Sequence, residues 1–206
     1  MLGYNFFMEK FSVVIQAGGN STRMGEDKAL VKFMNTTLIE YILSQIQGIG
    51  EETIIISNKP ENYNYLGYKV FSDILNGVGA LGGIYTAIHY ASQPKCLLLA
   101  CDMPFISIPL LNYMLSVDQN ADIIIPRLKN KSFSEPFRAL YSKNCLPSIK
   151  EAIERGNKRV ISFFEQVNTK YVEYDEIIKI DPKLRSFTNI NTPEDLLEAE
   201  KIAIKI

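Results

Sequence analysis

The chain is poor in the residues that mark disulfide-linked and metal-binding proteins. Its 206 residues include no tryptophan, one histidine and three cysteines. Cys96, Cys101 and Cys145 are odd in number and show no C-x-x-C spacing, which argues against a disulfide framework and against a zinc site. We therefore predict a cytoplasmic protein. His89 falls in a predicted helix, where we expect it to pack near the surface rather than to act as a ligand or base.

The chain also lacks an excess of either charge and a long apolar run. Its 22 Lys and Arg residues nearly balance its 23 Asp and Glu residues, so no overall basic field attracts nucleic acid or an anionic membrane. The N-terminal segment has neither the cationic start nor the apolar stretch of a signal peptide or a membrane span. We predict no nucleic-acid partner and no membrane partner, so any polyanion must be held by a local site.

Apolar runs typical of buried strands alternate with segments of helical spacing. This order predicts an α/β protein: a single-domain, three-layer, doubly wound, mainly parallel sheet of the Rossmann-like type. The predicted strands cover 13–16, 53–57, 69–72, 96–100, 121–126 and 171–174. The predicted helices cover 38–46, 84–91, 110–115, 145–155 and 159–164. A last helix follows Thr192 and Pro193, with Asp195 completing a capping box.

Two segments that connect the predicted helices and strands allow further predictions. Tyr63, Tyr65 and Tyr68 alternate with polar residues and predict a loop packed on the surface. The glycines between 77 and 83 predict a flexible turn before the helix at 84–91.

A glycine-rich loop follows the first predicted strand. Gly18, Gly19 and Gly25 permit sharp turns and close approach to a ligand, while Arg23 and Lys28 supply positive charge. The spacing fits neither the G-x-G-x-x-G dinucleotide fingerprint nor a P-loop, since Gly25 is followed by Glu26. The loop therefore predicts a polyanion cradle of another kind.

Three polar residues follow later strands of the predicted sheet. Asn58 and Asp73 come after the second and third strands, and Asp102 follows the most apolar strand, which we expect to be central. Ligands of open α/β sheets bind at the carboxyl ends of the strands, so these residues and the loop should line one crevice. A nucleoside triphosphate with a divalent cation suits it, because Mg²⁺ typically takes one or two carboxylates with phosphate oxygens and water. Asp102 is the predicted Mg²⁺ ligand.

The loop signature A-G-G-x-S-x-R-M-G-x-D-K resembles that of the molybdenum cofactor guanylyltransferases and of the related small nucleotidyltransferases. The similarity extends to E-P-x-x-A-L-Y at 135–141 and to N-x-N-T-P at 189–193, and it begins after Met8. We therefore expect an N-terminal extension over 1–10 and a nucleotidyltransferase domain over 11–206.

The resemblance implies an activity and a set of site residues. The implied reaction transfers GMP from Mg-GTP to the terminal phosphate of molybdenum-bound molybdopterin and releases pyrophosphate, with molybdoenzyme apoproteins as further partners. Arg23, Lys28 and Asp102 would be catalytic, and Asn189 and Asn191 would lie toward the acceptor. The implied nucleotide-binding residues are Gln16, Ala17, Gly18, Gly19, Lys28, Asn58, Asp73 and Asp102.

Some residues depart from the family pattern, and alternatives stay open. Gln16 replaces the commoner leucine, and Ala80 stands where a proline is usual. One alternative is a same-fold enzyme, either a molybdopterin cytidylyltransferase or a nucleotidyltransferase for a sugar or alcohol phosphate. Another is a cofactor carrier that binds GTP without turnover. Asn189 and Asn191 have an alternative role in satisfying backbone groups of their turn. Further candidates for binding the acceptor are Arg127, Lys129, Lys131 and Arg138.

Overall fold

The computed structural model describes residues 10–17, 27–75, 77–128 and 133–205. The strands are β1 Phe11–Gln16, β2 Lys32–Phe33, β3 Thr36–Thr37, β4 Glu52–Ile56, β5 Lys69–Phe71, β6 Lys95–Ala100, β7 Ile123–Leu128, β8 Phe133–Ser134, β9 Arg138–Ser142 and β10 Thr169–Val172. The helices are α1 Leu38–Ile46, α2 Ala80–Tyr90, α3 Ile108–Val117, α4 Cys145–Glu154, α5 Tyr174–Ile180 and α6 Pro193–Ala203. None of the helices within these ranges is both long and apolar enough to cross a membrane.

The main sheet has the strand order β10-β7-β9-β6-β1-β4-β5, with the short β8 paired to β7. Each neighbouring pair along this order is parallel except the two that involve β9. Ile15 of β1 lies between Ile55 of β4 and Leu99 of β6, so apolar β-branched and leucine side chains fill the centre of the sheet. The prediction of a mainly parallel sheet is confirmed.

The two faces of the sheet bury separate apolar clusters. Val13 and Ile15 pack with residues of α1, α3 and α5, whereas Val14 packs with residues of α2 and α4. Successive side chains of a strand point to opposite faces, so the alternation along β1 serves both layers. The predicted three-layer, doubly wound architecture is therefore confirmed.

The connections reverse direction beside β1. From β1 the chain adds β4 and then β5 on one side, and then crosses back to place β6 on the other side. Such a reversal leaves a crevice outside the carboxyl ends of the two strands that flank it. Gln16 ends β1 and Ala100 ends β6, and these two residues are paired in the ladder.

Helix α2 begins at Ala80, four residues before the predicted start, so Gly82 and Gly83 lie within it. A Cβ on Gly82 would lie 3.0 Å from the Leu75 carbonyl oxygen and 3.0 Å from the Val78 Cβ. The predicted flexible turn through both glycines is therefore wrong, and Gly82 instead allows close packing.

Two further expectations are wrong. Tyr63 lies in a 3₁₀ helix over Pro60–Leu66 and is fully buried, not on a surface loop; burial raises its pKa. The strand expected at 171–174 is β10 at Thr169–Val172, and α5 starts at Tyr174. Glu173 and Glu176 form a reciprocal capping box there, which favours a helix start over continued strand alternation.

Candidate active site

Lys28 joins two distant parts of the chain at the carboxyl edge of the sheet. Its Nζ lies 3.2 Å from Asp102 Oδ2 and 3.0 Å from Asn191 Oδ1, residues that are 74 and 163 positions away in sequence. Asp27 caps the 3₁₀ turn that presents the lysine, because its Oδ1 accepts from the amide of Ala29. The side chains of Lys28 and Asp102 are 11% and 31% exposed, so the ion pair is partly shielded from solvent.

Backbone hydrogen bonds fix the segment that carries Asp102. The amide of Cys101 donates to the carbonyl oxygen of Gln16 at 3.2 Å, which ties the end of β6 to the end of β1. The amide of Ile190 donates to the carbonyl oxygen of Asp102 at 2.8 Å. Asp102 thus holds Lys28 through its side chain and the segment before α6 through its backbone carbonyl.

Arg138 lies beneath this segment and is 1% exposed. Its Nη2 donates to the carbonyl oxygen of Met103 at 2.8 Å, while its Nε and Nη1 find no partner among the described residues. Burial lowers the pKa of its guanidinium to about 10, against the opposing effect of the Glu135, Asp102 and Asp181 charges. Arg138 was expected to bind the acceptor directly; instead its guanidinium lies beneath the Asp102 segment and is hydrogen-bonded to the backbone of that segment.

Glu135 was not expected in this arrangement. It is buried, and burial raises the pKa of its carboxyl while the charge of Arg138 acts in the opposite direction. The E-P-x-x-A-L-Y motif indicated that this segment matters. The spacing within the motif does not predict that Glu135 and Arg138 lie under the Asp102 segment.

Asn191 is held at the start of α6 by a capping box. Its amide donates to Asp195 Oδ2 at 2.8 Å, and the amide of Thr192 donates to the same oxygen at 2.9 Å. The Thr192 hydroxyl accepts from the amide of Asp195 at 3.1 Å, so the predicted capping box is confirmed. The side chain of Asn191 reaches Lys28, which rules out a role confined to its own turn. Asn189 is exposed nearby.

Asn58 and Asp73 face each other at the ends of β4 and β5. The amide of Asp73 donates to Asn58 Oδ1 at 3.0 Å, and Asn58 Nδ2 donates to Asp73 Oδ2 at 3.4 Å. Burial raises the pKa of the Asp73 carboxyl. Its Oδ1 is buried and has no hydrogen-bond partner within the part of the chain that the structure describes. The amide of Ile74 donates to Thr86 of α2, which places this pair beside that helix.

Gln16 and Ala17 complete the wall formed by β1. The amide of Ala17 donates to the carbonyl oxygen of Ile56 at 2.9 Å, and its own carbonyl oxygen accepts from the Tyr63 hydroxyl at 3.3 Å. Sequence reasoning missed this role of Tyr63, since polar neighbours on both sides gave no sign of burial. Seven predicted site residues thus lie on one edge of the sheet: Gln16, Ala17, Lys28, Asn58, Asp73, Asp102 and Asn191.

The structure describes only some of the remaining predicted site residues. Gly18, Gly19, Arg23, Lys129 and Lys131 fall outside the described residues. Arg127 belongs to β7, where its Nη1 lies 3.0 Å from Glu173 Oε1 and its guanidinium carbon lies 3.4 Å from the centre of the Tyr171 ring. It is therefore already paired with residues of the sheet edge.

The oxygen donors around Lys28 suit a hard cation. Asp102 offers a carboxylate and Asn191 an amide oxygen, and both already face the ammonium group of Lys28. Across the described ranges no cluster of three or more His, Cys, Asp or Glu residues is close enough to hold a metal by itself. A metal here would take part of its coordination from ligand oxygens and water, as Mg²⁺ does in nucleotide sites.

A Rossmann-like sheet with this crevice at its reversal point is typical of nucleotide-binding enzymes. A profile of the MobA-like NTP transferase domain matches residues 13–170, which is most of the chain. The chain belongs to this MobA-like family of enzymes.

Relatives of known name support the same assignment. A Pelotomaculum thermopropionicum protein named "Probable molybdenum cofactor guanylyltransferase" is 36% identical over 190 residues, 92% of each chain. A Syntrophotalea carbinolica protein named "Molybdenum cofactor guanylyltransferase" is 32% identical over 89% of this chain and 88% of its own. The crystal structure of molybdopterin-guanine dinucleotide biosynthesis protein A from Archaeoglobus fulgidus superposes with a TM-score of 0.80 at 28% identity, covering 95% of this chain and all of that one.

Proposed function

We propose that the protein transfers GMP from Mg-GTP to the terminal phosphate of molybdenum-bound molybdopterin. An oxygen of that phosphate attacks the α-phosphorus of GTP, the bond between the α- and β-phosphates breaks, and pyrophosphate leaves. The observation that carries the proposal is the contact of Lys28 with both Asp102 and Asn191 at the reversal point of the sheet. The names of the relatives support the choice of guanine and of the molybdenum cofactor.

Charge is the main obstacle to this reaction, because an anionic acceptor must approach a polyanionic triphosphate. Lys28 supplies a positive charge in a partly shielded cleft, where electrostatic interactions are stronger than in bulk water. Asp102 and Asn191 would hold Mg²⁺ together with phosphate oxygens and water. The bound ion would neutralise charge that develops on the departing pyrophosphate.

Asn191 is suited to orientation rather than to neutralisation. It brings a neutral carboxamide, and its backbone is fixed by the first turn of α6. Its position beside Lys28 lets it contact either the metal or the acceptor phosphate. Positioning of this kind carries much of phosphoryl-type catalysis, since the protein has little covalent chemistry to perform.

A turnover assay with the four ribonucleoside triphosphates tests the proposal. Each would be offered with Mg²⁺ and molybdenum-loaded molybdopterin, and both pyrophosphate and the dinucleotide product would be measured. We expect GTP alone to give equal amounts of both at a high rate. Preference for CTP would assign the protein to cytidylyl transfer, and binding of GTP without pyrophosphate release would make it a carrier; either result contradicts the proposal.

A further inference from the structure

The side-chain oxygen of Gln16 is buried but is not held by the described part of the chain. Gln16 is 9% exposed, and its Oε1 is buried without a hydrogen-bond partner among the residues that the structure describes. Burying a polar acceptor without a partner destabilises the folded protein. A side chain that destabilises the free protein at the edge of a ligand crevice is a candidate for binding that ligand.

The half-buried Gln45 shows how a structural carboxamide is held in the same fold. Its Nε2 donates to the carbonyl oxygens of Tyr41 and Pro104, and its Oε1 accepts from the amide of Ile106. Both ends of that carboxamide are satisfied by backbone groups. Among the described residues, Gln16 has no comparable bond at its Oε1, so this oxygen is left available to a ligand.

The fold directs Gln16 toward the first turn of α2. Gln16 lies on the same face of β1 as Val14, the face covered by α2. A Cβ on Gly83 would lie 3.2 Å from Gln16 Oε1 and 3.3 Å from its Nε2. The missing side chain at Gly83 therefore leaves the space that the carboxamide occupies, between the end of β1 and the helix.

A second unpartnered acceptor marks the same region. Asp73 Oδ1 is buried without a partner in the described chain, and Asp73 adjoins Ile74, whose amide bonds to Thr86 of α2. The Thr86 side chain also lies close enough to hydrogen-bond the Asp73 carboxyl, so Gln16 Oε1 is the acceptor that most needs an N–H donor from a ligand. Among nucleobases, guanine has two adjacent N–H donors on its Watson–Crick edge, the N1–H and the 2-amino group.

We propose that Gln16 is a specificity-determining residue whose Oε1 accepts a hydrogen bond from an N–H of the guanine Watson–Crick edge. This inference rests on the proposed function for the identity of the nucleotide. It assigns base recognition to the side chain of Gln16, apart from any contact that the backbone of the glycine-rich loop makes with the phosphates.

The test compares the parent and Gln16→Leu in their binding of GTP and of an analogue whose base lacks the N–H donors of guanine. Binding of GTP and of purine riboside triphosphate, which has neither an N1–H nor a 2-amino group, is measured by calorimetry on the full chain with Mg²⁺. We expect the ratio of the two affinities to fall about tenfold in Gln16→Leu, as for loss of one hydrogen bond. The melting temperature of the variant should equal or exceed that of the parent, because an unpaired buried acceptor has been removed.

Gln93→Leu is the matched control. Gln93 lies at the opposite end of the sheet, where its backbone amide donates to the Ser12 hydroxyl at the start of β1 and its side-chain Nε2 donates to the neighbouring Ser92 hydroxyl. Its affinity ratio should equal that of the parent. An unchanged ratio in Gln16→Leu would overturn the inference, as would equal losses for both ligands together with a lower melting temperature. The parent protein separates the two proposals. If the parent transfers GMP from GTP, the proposed function stands whatever Gln16→Leu shows. If the parent neither binds GTP nor transfers GMP, the proposed function itself has failed.

Discussion

At the scale of single residues, Asp102 performs two tasks that can be separated. Its carboxylate faces Lys28, and its carbonyl oxygen accepts from the amide of Ile190. A substitution that removes only the negative charge leaves the backbone bond in place. The side chain can therefore be tested without dismantling the segment that carries it.

We predict that Asp102→Asn lowers the rate of pyrophosphate release by roughly 100-fold or more, the scale of losing a main electrostatic contact to a transition state. The fold should be retained, as judged by circular dichroism and thermal melting. Asp175→Asn, an exposed carboxylate in α5, is the control and should be fully active. A near-normal rate in Asp102→Asn would remove this carboxylate from the mechanism.

Lys28 should act through its charge and not as a base. We predict that Lys28→Ala weakens GTP binding and slows transfer, whereas Lys28→Arg restores only part of both, because a planar guanidinium cannot reproduce the contacts of an ammonium point charge. Binding would be followed by calorimetry and transfer by product formation. Parental values in both variants would show that the lysine does not contact the triphosphate.

At the scale of elements, α6 matters because its capping box holds a candidate site residue. Asp195 accepts from the amides of Asn191 and Thr192, and these bonds lower the pKa of its carboxyl. A carboxyl whose pKa is lowered by folding stabilises the protein above its unfolded pKa. That contribution is lost as the pH falls through the lowered value.

We predict that Asp195→Ala reduces kcat by releasing Asn191, while Glu194→Ala, an exposed change in the same turn, does not. The stability difference between parent and Asp195→Ala should be largest near neutral pH and should narrow as the pH falls below the ordinary range of aspartate, near 3.9. Thr192→Ala should destabilise the protein by about 1 kcal/mol, as for loss of an N-cap. Denaturant titrations across pH measure these differences in the free energy of unfolding. If the difference between the parent and Asp195→Ala did not change with pH, the assigned pKa shift of Asp195 would be wrong.

Two elements show where local sequence patterns stop being informative. Gly82 and Gly83 have poor helix propensity, yet α2 includes them because close packing against Leu75 and Val78 and space for Gln16 require a missing Cβ. The alternation at 171–174 favoured a strand, but the reciprocal bonds of Glu173 and Glu176 start a helix. In the first case packing against other segments determines the structure; in the second a local capping box overrides the alternation.

At the scale of the whole molecule, the parts of the candidate site that follow from the order of the strands could be predicted from the sequence. Asp73 and Asp102 each follow a recognisable buried strand, and parallel strands bring their carboxyl ends to one edge, so the crevice follows from the strand order. The link from Lys28 to Asn191 spans 163 positions and depends on where α6 packs. The burial of Arg138 under the Asp102 segment depends on β9 running antiparallel beside β6. No spacing along the chain encodes either fact.

The assembly of the site from distant segments leads to a prediction about global stability. A ligand that binds only the folded protein stabilises it in proportion to the logarithm of its concentration over its Kd. At 100 times the Kd this amounts to about 2.7 kcal/mol, which for a chain of this size raises the melting temperature by roughly 5–11 °C. We predict a shift in this range for GTP with Mg²⁺, because the ligand would bridge segments that are separate in the unfolded chain.

Removing the metal should abolish most of that shift, since GTP alone would meet the carboxylate of Asp102 with only Lys28 to offset the repulsion between them. The measurement is a thermal melt of the parent with GTP and Mg²⁺, with GTP and a chelator, and with Mg²⁺ alone. Asp102→Asn should show a much smaller response to added Mg²⁺ than the parent, while Asp175→Asn should respond fully. An equal shift with and without the metal would mean that GTP binds independently of a cation, and the assignment of Asp102 as a metal ligand would then be wrong.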